Sequence, residues 1–351
     1  MSEWRATTLD QLVKLQRGHD LPTEQRRSGN VPVVGAAGPS GLHDTAITKA
    51  PGVVIGRAGA SMGHATYCNV DFWPLNTSLY VTDFLGNDPR FVYYLLGGID
   101  FSGYNSGAAQ PMLNRNYIKQ IPINLPSRRE QEAISSALGA LDDKISINEV
   151  ISVRALNLGT EEFRLLSSSA QEDSTVGDLV ELRYGKALPS VQRTPGDIPV
   201  FGSGGTGGHH AEALVKGPGV IVGRKGTVGA VYWSDTDFFP IDTTFYVSPK
   251  GDRTSLEYMY FALKSLGLEH MNSDSAVPGL NRERAHSLRL RIPTENAMQG
   301  FTAKARDLFE LRRGRAAENV TLAALRGALL PQLMSGRLRV KDAEKVVEDH
   351  V

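Results

Sequence analysis

The chain repeats itself, and the repeat constrains its fold more than any other feature. The run 31–35 (Val-Pro-Val-Val-Gly) matches 198–202 (Ile-Pro-Val-Phe-Gly), an offset of 167 residues between Pro32 and Pro199. The same offset joins Gly18 to Gly185, Leu21-Pro22 to Leu188-Pro189, the run 51–57 to 218–224, and Gly59 to Gly226. One residue is lost in the next turn, so 72–81 pairs with 238–247. The original register then returns for 111–115 (Pro-Met-Leu-Asn-Arg) and 278–282 (Pro-Gly-Leu-Asn-Arg). A register held over so many blocks marks a duplicated unit.

Each copy carries the same order of predicted elements. A short helix opens it, capped by Thr8 or Thr175, with Leu12, Val13 and Leu15, or Leu179, Val180 and Leu182, on its apolar side. Turn-rich stretches with short apolar strands follow, about 30–85 and 197–250. A compact helix comes next (88–96 and 254–266), then the Pro-x-Leu-Asn-Arg turn, then a long helical segment, roughly 127–165 and 294–335. Ile134, Leu138, Leu141 and Ile145 recur at helical spacing, as do Leu322, Leu325, Leu329 and Leu333. Arg312, Arg313, Arg315 and Arg326 are placed on the outer face. Gly336 stands where a C-terminal cap belongs, and Pro331 is expected to kink the last turn.

Single stripes on helices this long predict that the two pack on each other as an antiparallel coiled coil. The alternative is that each stripe docks only on its own domain. The fold class is thus α+β: two pseudo-symmetric globular α/β domains separated by two long helices. About 30 helical residues at ~1.5 Å each span ~45 Å, against ~34 Å for one turn of DNA. Two similar domains at the ends of such a spacer could read two half-sites, and their differences would make the target asymmetric.

The formal charge is zero, with 38 basic and 38 acidic residues. That argues mildly against nucleic acid, although patches rather than totals meet phosphates. The single cysteine, Cys68, excludes an internal disulfide and a cysteine zinc site. No leader-like or membrane-length apolar run is present, which predicts a cytoplasmic protein with no membrane association.

Arg57 and Arg224 each follow an apolar strand and precede a glycine, a setting suited to a phosphate or a guanine edge. Because both copies keep them, backbone or structural work is favoured over base choice. Lys225 adds a cation in the second copy, and Arg115 and Arg282 are further DNA candidates. Asn114 and Asn281 read as helix N-caps. Gln110, which aligns with Val277, and the loop residues Ser61 and His64 are candidate base readers. The Gly-rich loops 36–43 and 203–210 lack Walker spacing, which predicts no nucleotide site. His209 and His210 have no third metal ligand at a recognised spacing, so they are placed with the DNA candidates and no metal is expected. Phe72, Trp73, Tyr80, Phe238, Phe239 and Tyr246 read as core. No adenine-methyltransferase Asn-Pro-Pro-Tyr/Phe motif, nuclease pattern or Ser-His-Asp set appears, so no catalytic residue is proposed. A tandem-repeat adaptor that binds protein instead of DNA stays as the alternative.

Several features together resemble the specificity (S) subunits of Type I restriction–modification systems. They are Trp4 with the run 8–13 (Thr-Leu-Asp-Gln-Leu-Val), the Gly-Val-Val-Ile-Gly-Arg-x-Gly strand, the turns 110–115 and 277–282, the helix entry 125–135, and the ending 321–338. The resemblance implies target-recognition domains at 1–126 and 168–293. It also implies helical spacers at 127–167 and 294–340, and a charged tail at 341–351. It implies double-stranded DNA as ligand, with two modification (M) subunits and restriction (R) subunits as partners. S-adenosylmethionine, ATP and Mg would belong to those partners, and the chain itself would hold no cofactor. The specificity subunit of a related methylation-only system is the other alternative. Leu138, Leu141, Ile145, Leu322, Leu325 and Leu329 would form the helix stripe, so Glu at 141 and 325 should break assembly while each recognition domain stays folded. The degenerate stretch 154–169 and the second helix entry 293–297 depart from the family pattern.

Overall fold

The computed structural model describes residues 4–107, 110–170, 172–271 and 279–348. The chain divides into two compact units. One is Met1–Ile147 together with Glu318–Val351, and the other is Asn148–Ala317.

The first unit begins with strand β1 (Arg5–Thr8), the single-turn helix α1 (Leu9–Leu12) and β2 (Lys14–Arg17). Then come β3 (Val31–Gly35), β4 (Gly38–His43), β5 (Gly52–Gly56), β6 (Ala65–Cys68), β7 (Trp73–Pro74) and β8 (Ser78–Asp83). Helices α2 (Pro89–Gly97) and α3 (Arg115–Ile118), strand β9 (Pro122–Leu125) and the start of α4 (Arg128–Ser168) follow. Three sheets result, in the orders β2-β8-β5-β6, β4-β3-β7 and β1-β9. β5 is an inner strand whose five residues are all buried, which is why it reads as an unbroken apolar run. Asp88 caps α2 by accepting from the backbone N of Arg90 and Phe91, with Pro89 at the first helical position.

The second unit repeats this plan. It comprises β10 (Glu172–Thr175), α5 (Val176–Leu179), β11 (Val180–Tyr184), β12 (Ile198–Gly202), β13 (Gly205–His210), β14 (Gly219–Gly223) and β15 (Val231–Ser234). These are followed by β16 (Phe239–Pro240), β17 (Thr244–Pro249), α6 (Leu256–Ser265), α7 (Arg282–His286), β18 (Arg289–Ile292) and the start of α8 (Glu295–Met334). Its sheets run β11-β17-β14-β15, β13-β12-β16 and β10-β18, the same orders as in the first unit. A last helix, α9 (Val340–Glu348), belongs to the first unit and buries Ala343 and Val347.

The long helices are shared between the units, and within each unit they pack antiparallel. In the first, Ile134, Leu138 and Leu141 join one core with Leu322, Leu329 and Leu333, flanked by half-buried Ile145 and Leu325. Arg326 Nη1 reaches Asp142 Oδ1 at 2.5 Å, and Asn319 Nδ2 donates to Ile145 O at 3.2 Å, so one helix ascends as the other descends. In the second, Phe163 packs with Phe301, Ala305 and Phe309, and Lys304 bonds Glu162 at 2.8 Å. The same first core holds Leu9, Leu12 and Phe91. The stripe therefore pairs with the other helix and docks on its own domain at once.

Several expectations need correction. The opening helix is one turn long, and Leu15 and Leu182 lie on the strands that follow it. Thr175 forms a full capping box with Asp178, whereas the Thr8 side chain caps no backbone group and donates to Asp10 instead. Helix α8 continues through Pro331 to Met334, and Gly336, at φ +69°, follows it. Arg326 is half-buried against Asp142 rather than on an outer face. The aromatic expectation holds for Phe72, Tyr80, Phe238 and Phe239, which are buried, while Trp73 and Tyr246 are half-buried.

Candidate nucleic-acid interface

Two motifs that lie far apart in sequence meet at one junction, and the junction is built twice. In the first unit, Arg57 follows β5 directly. Its backbone N donates to Thr77 O at 2.9 Å, its carbonyl accepts from Leu113 N at 2.8 Å, and Gly59 N donates to Pro111 O at 3.0 Å. In the second, Arg224 N donates to Thr243 O at 2.8 Å, and Arg224 O accepts from Leu280 N at 2.8 Å. Ala58 bridges Met112 and, correspondingly, Lys225 bridges Gly279. Each loop satisfies backbone groups that the other would leave unpaired. The Gly-Arg-x-Gly loop and the Leu-Asn-Arg turn are thereby locked together. Asn114 and Asn281 cap α3 and α7 by accepting from Asn116 N and Arg284 N, each at 3.0 Å, as expected.

The side chains around the junction differ between units. Arg57 is half-buried and donates to Leu113 O at 3.3 Å and to Met112 Sδ at 3.4 Å. Burial, and then the like charge of Arg17, push its pKa below the ordinary guanidinium value. Gln110 is exposed beside Gly59: a Cβ added to Gly59 would lie 3.2 Å from Gln110 Nε2. Ser61 and exposed His64 line a shallow depression with Ala37, Ala60 and Met62. Arg115 lines a second one with Lys14 and Lys119.

In the second unit, the Arg224 guanidinium lies 4.9 Å from the Tyr184 ring centroid and 5.9 Å from that of Phe245, and Nη1 donates to Asp242 O at 3.0 Å. Arg282 approaches the same Tyr184 ring at 5.2 Å and donates to Glu283. Lys225 is exposed. Val277 and Pro278 lie outside the described residues.

The two histidines separate. His209 is exposed and pairs with Pro199 at the open end of the β12–β13 hairpin. His210 turns inward: its Nδ1 accepts from Thr194 N at 3.1 Å, and its ring meets Phe239 edge-on at 5.7 Å. Buried His43 repeats this in the first unit, accepting from Arg27 N and meeting Trp73 edge-on. His210 is thus buried and tied into the framework, unlike exposed His209. Arg17 and Tyr184 were not singled out from sequence. The available signal was that they occupy equivalent positions, just before the aligned Gly18 and Gly185, and differ.

Among the described residues, no group of three or more His, Cys, Asp or Glu is placed to hold a metal. Burial pushes the Cys68 thiol up to about 12, which makes it a poor nucleophile. No described helix is long and apolar enough to cross a membrane. What the junctions offer is guanidinium and amide donors on a rigid frame, the equipment for binding a polyanion.

A duplicated α/β unit joined to shared antiparallel helices, with an arginine-bearing junction in each copy, defines the class of fold. Residues 1–154 and 169–315 match the family described as the Type I restriction modification DNA specificity domain, and the chain belongs to that family. It is similar in fold to the Type I restriction–modification S subunit from M. genitalium, with a TM-score of 0.63 and 20% identity over 95% of this chain and 96% of that one. The HsdS subunit from Thermoanaerobacter tengcongensis aligns over 95% of this chain and 97% of its own at 14% identity, with a TM-score of 0.35. No curated protein matched.

Proposed function

We propose that the chain reads a split, asymmetric double-stranded DNA target, one half per unit, for a Type I restriction–modification complex. The observation that carries this reading is the arginine junction: the same backbone frame built twice, with different residues around it. Shared Arg57 and Arg224 hold the DNA backbone, with Arg115, Arg282 and Lys225 beside them. Base choice falls to positions that differ between the units, Gln110, Ser61 and His64 among them. The recognition domains are 1–126 and 168–293, and the helical segments 127–167 and 294–340 set their spacing and receive two M subunits. Those subunits bring S-adenosylmethionine and methylate adenine. R subunits add ATP- and Mg-dependent translocation and cleavage, and this chain supplies recognition rather than chemistry.

The test is a gel-shift selection from a random duplex pool, run over a salt series with the chain in complex with its M partner. We expect two specified blocks separated by a run of unspecified bases. Affinity should fall ~10³–10⁵-fold between 50 and 200 mM salt if about 6–10 phosphates are contacted. Arg224→Ala should weaken all duplexes alike and reduce the log–log salt slope by about one. Binding indifferent to salt and sequence would overturn the reading in favour of a protein-binding adaptor.

A further inference from the structure

We propose that Arg17 and Arg57 form a phosphate clamp in the first unit, for which the second unit substitutes an aromatic brace. The inference rests on the DNA reading above and assigns a contact to a residue not otherwise given one. β2 and β5 flank β8 in one sheet, and Arg17 and Ile55 both pair with Leu79 across it. Arg17 ends β2 and Arg57 follows β5, so the two guanidinium groups emerge at one end of the sheet on either side of the same strand. Arg17 is exposed and Arg57 half-buried. The side-chain acceptors of Arg57 are a carbonyl and a thioether, both neutral, and the neighbouring charge acting on it is the like charge of Arg17. Two cations at the same end of one sheet, one acting electrostatically on the other, gain most from an anion that bridges them, and a DNA phosphate has both the charge and the oxygens to do so.

The equivalent place in the second unit is built differently. Tyr184 stands where Arg17 does, Phe245 where Leu79 does, and the Tyr184 ring lies against both Arg224 and Arg282. There the shared arginine is steadied by a ring and by the Asp242 carbonyl, with no second charge at that strand position. At this strand position, therefore, the first unit offers a phosphate contact that the second does not.

The experiment measures the salt dependence of duplex binding by the full chain with its M partner, for wild type, Arg17→Tyr, Arg17→Gln, Arg17→Lys and Tyr184→Arg. Arg17→Tyr borrows the residue that the other unit carries at this place, and Arg17→Gln covers the case in which the ring does not fit. Both should lower affinity equally on selected and unrelated duplexes. Both should shrink the log–log slope by about one, which removes about fourfold of the affinity loss between 50 and 200 mM salt. Arg17→Lys should keep the wild-type slope, and Tyr184→Arg should steepen it by about one. An unchanged slope in Arg17→Tyr and Arg17→Gln, or a loss confined to the selected sequence, would overturn the clamp while leaving the DNA reading intact. A wild-type complex whose binding ignores salt would sink both.

Discussion

Gly18 and Gly185 show what the duplicated glycines are for. A Cβ at Gly18 would sit 2.1 Å from Leu75 O, and one at Gly185 would sit 2.2 Å from Ile241 O, so backbone passes backbone there with no room for a side chain. Gly185→Ala should cost at least ~1–3 kcal/mol by overpacking, read as a lower urea midpoint for the second unit. Asn281→Ala removes the cap of α7 and should cost about 1 kcal/mol, seen in the same titration. His286 adds a pH term. Its Nε2 accepts from Leu182 N at 3.1 Å, and burial lowers its pKa below 6.5, so folding favours the neutral ring. The unfolded chain therefore binds this proton more readily than the folded one. The stabilisation from His286 is complete above about 6.5 and is lost as pH falls from there through the lower folded-state value. Melts at pH 7.5 and 5.5 should show a larger drop for wild type than for His286→Gln. Aligned glycines were legible as a repeat. The Arg17–Tyr184 difference beside them was visible too, but its meaning was not, because it depends on which strand lies across from it.

The elements were legible wherever periodicity ran long. Helices α4 and α8 fall within a few residues of the predicted segments, since three or more turns of striped sequence leave little ambiguity. The opening helix was over-read because Leu12, Val13 and Leu15 suit both a helix face and a helix that gives way to a strand. Only pairing of β2 with β8 decides between them. The stripe also does more than either sequence reading allowed. Leu141 is fully buried in the core that holds Leu9 and Phe91, so Leu141→Glu should unfold the first unit outright and report nothing specific about assembly. Leu141→Ala should cost ~2–5 kcal/mol, measured by chemical denaturation. For the proposed contact with M subunits, half-buried Leu325 is the cleaner probe.

On the scale of the whole chain, the first unit draws its core from both ends of the described sequence, and the second is a continuous stretch between them. Removing residues 318–351 takes Leu322, Leu329, Leu333 and Val347 from the first core and none from the second. At ~1.5–3 kcal/mol for each side chain, that loss rivals the ~5–15 kcal/mol margin of a domain. The truncated chain should keep protease resistance over 148–317 and lose it over 4–147. This nesting inverts the order in which a ribosome can complete the two heads. Residues 4–147 emerge early, with Leu9, Leu12, Leu138 and Leu141 awaiting partners that have not been made. Translating the interval to residue 318 takes roughly 10–30 s at ~5–20 residues per second, long enough for the second head to fold in the meantime. The head encoded first is thus the one finished last. Premature termination before residue 318 should leave the second unit folded and the first without Leu322, Leu329 and Leu333 for its core.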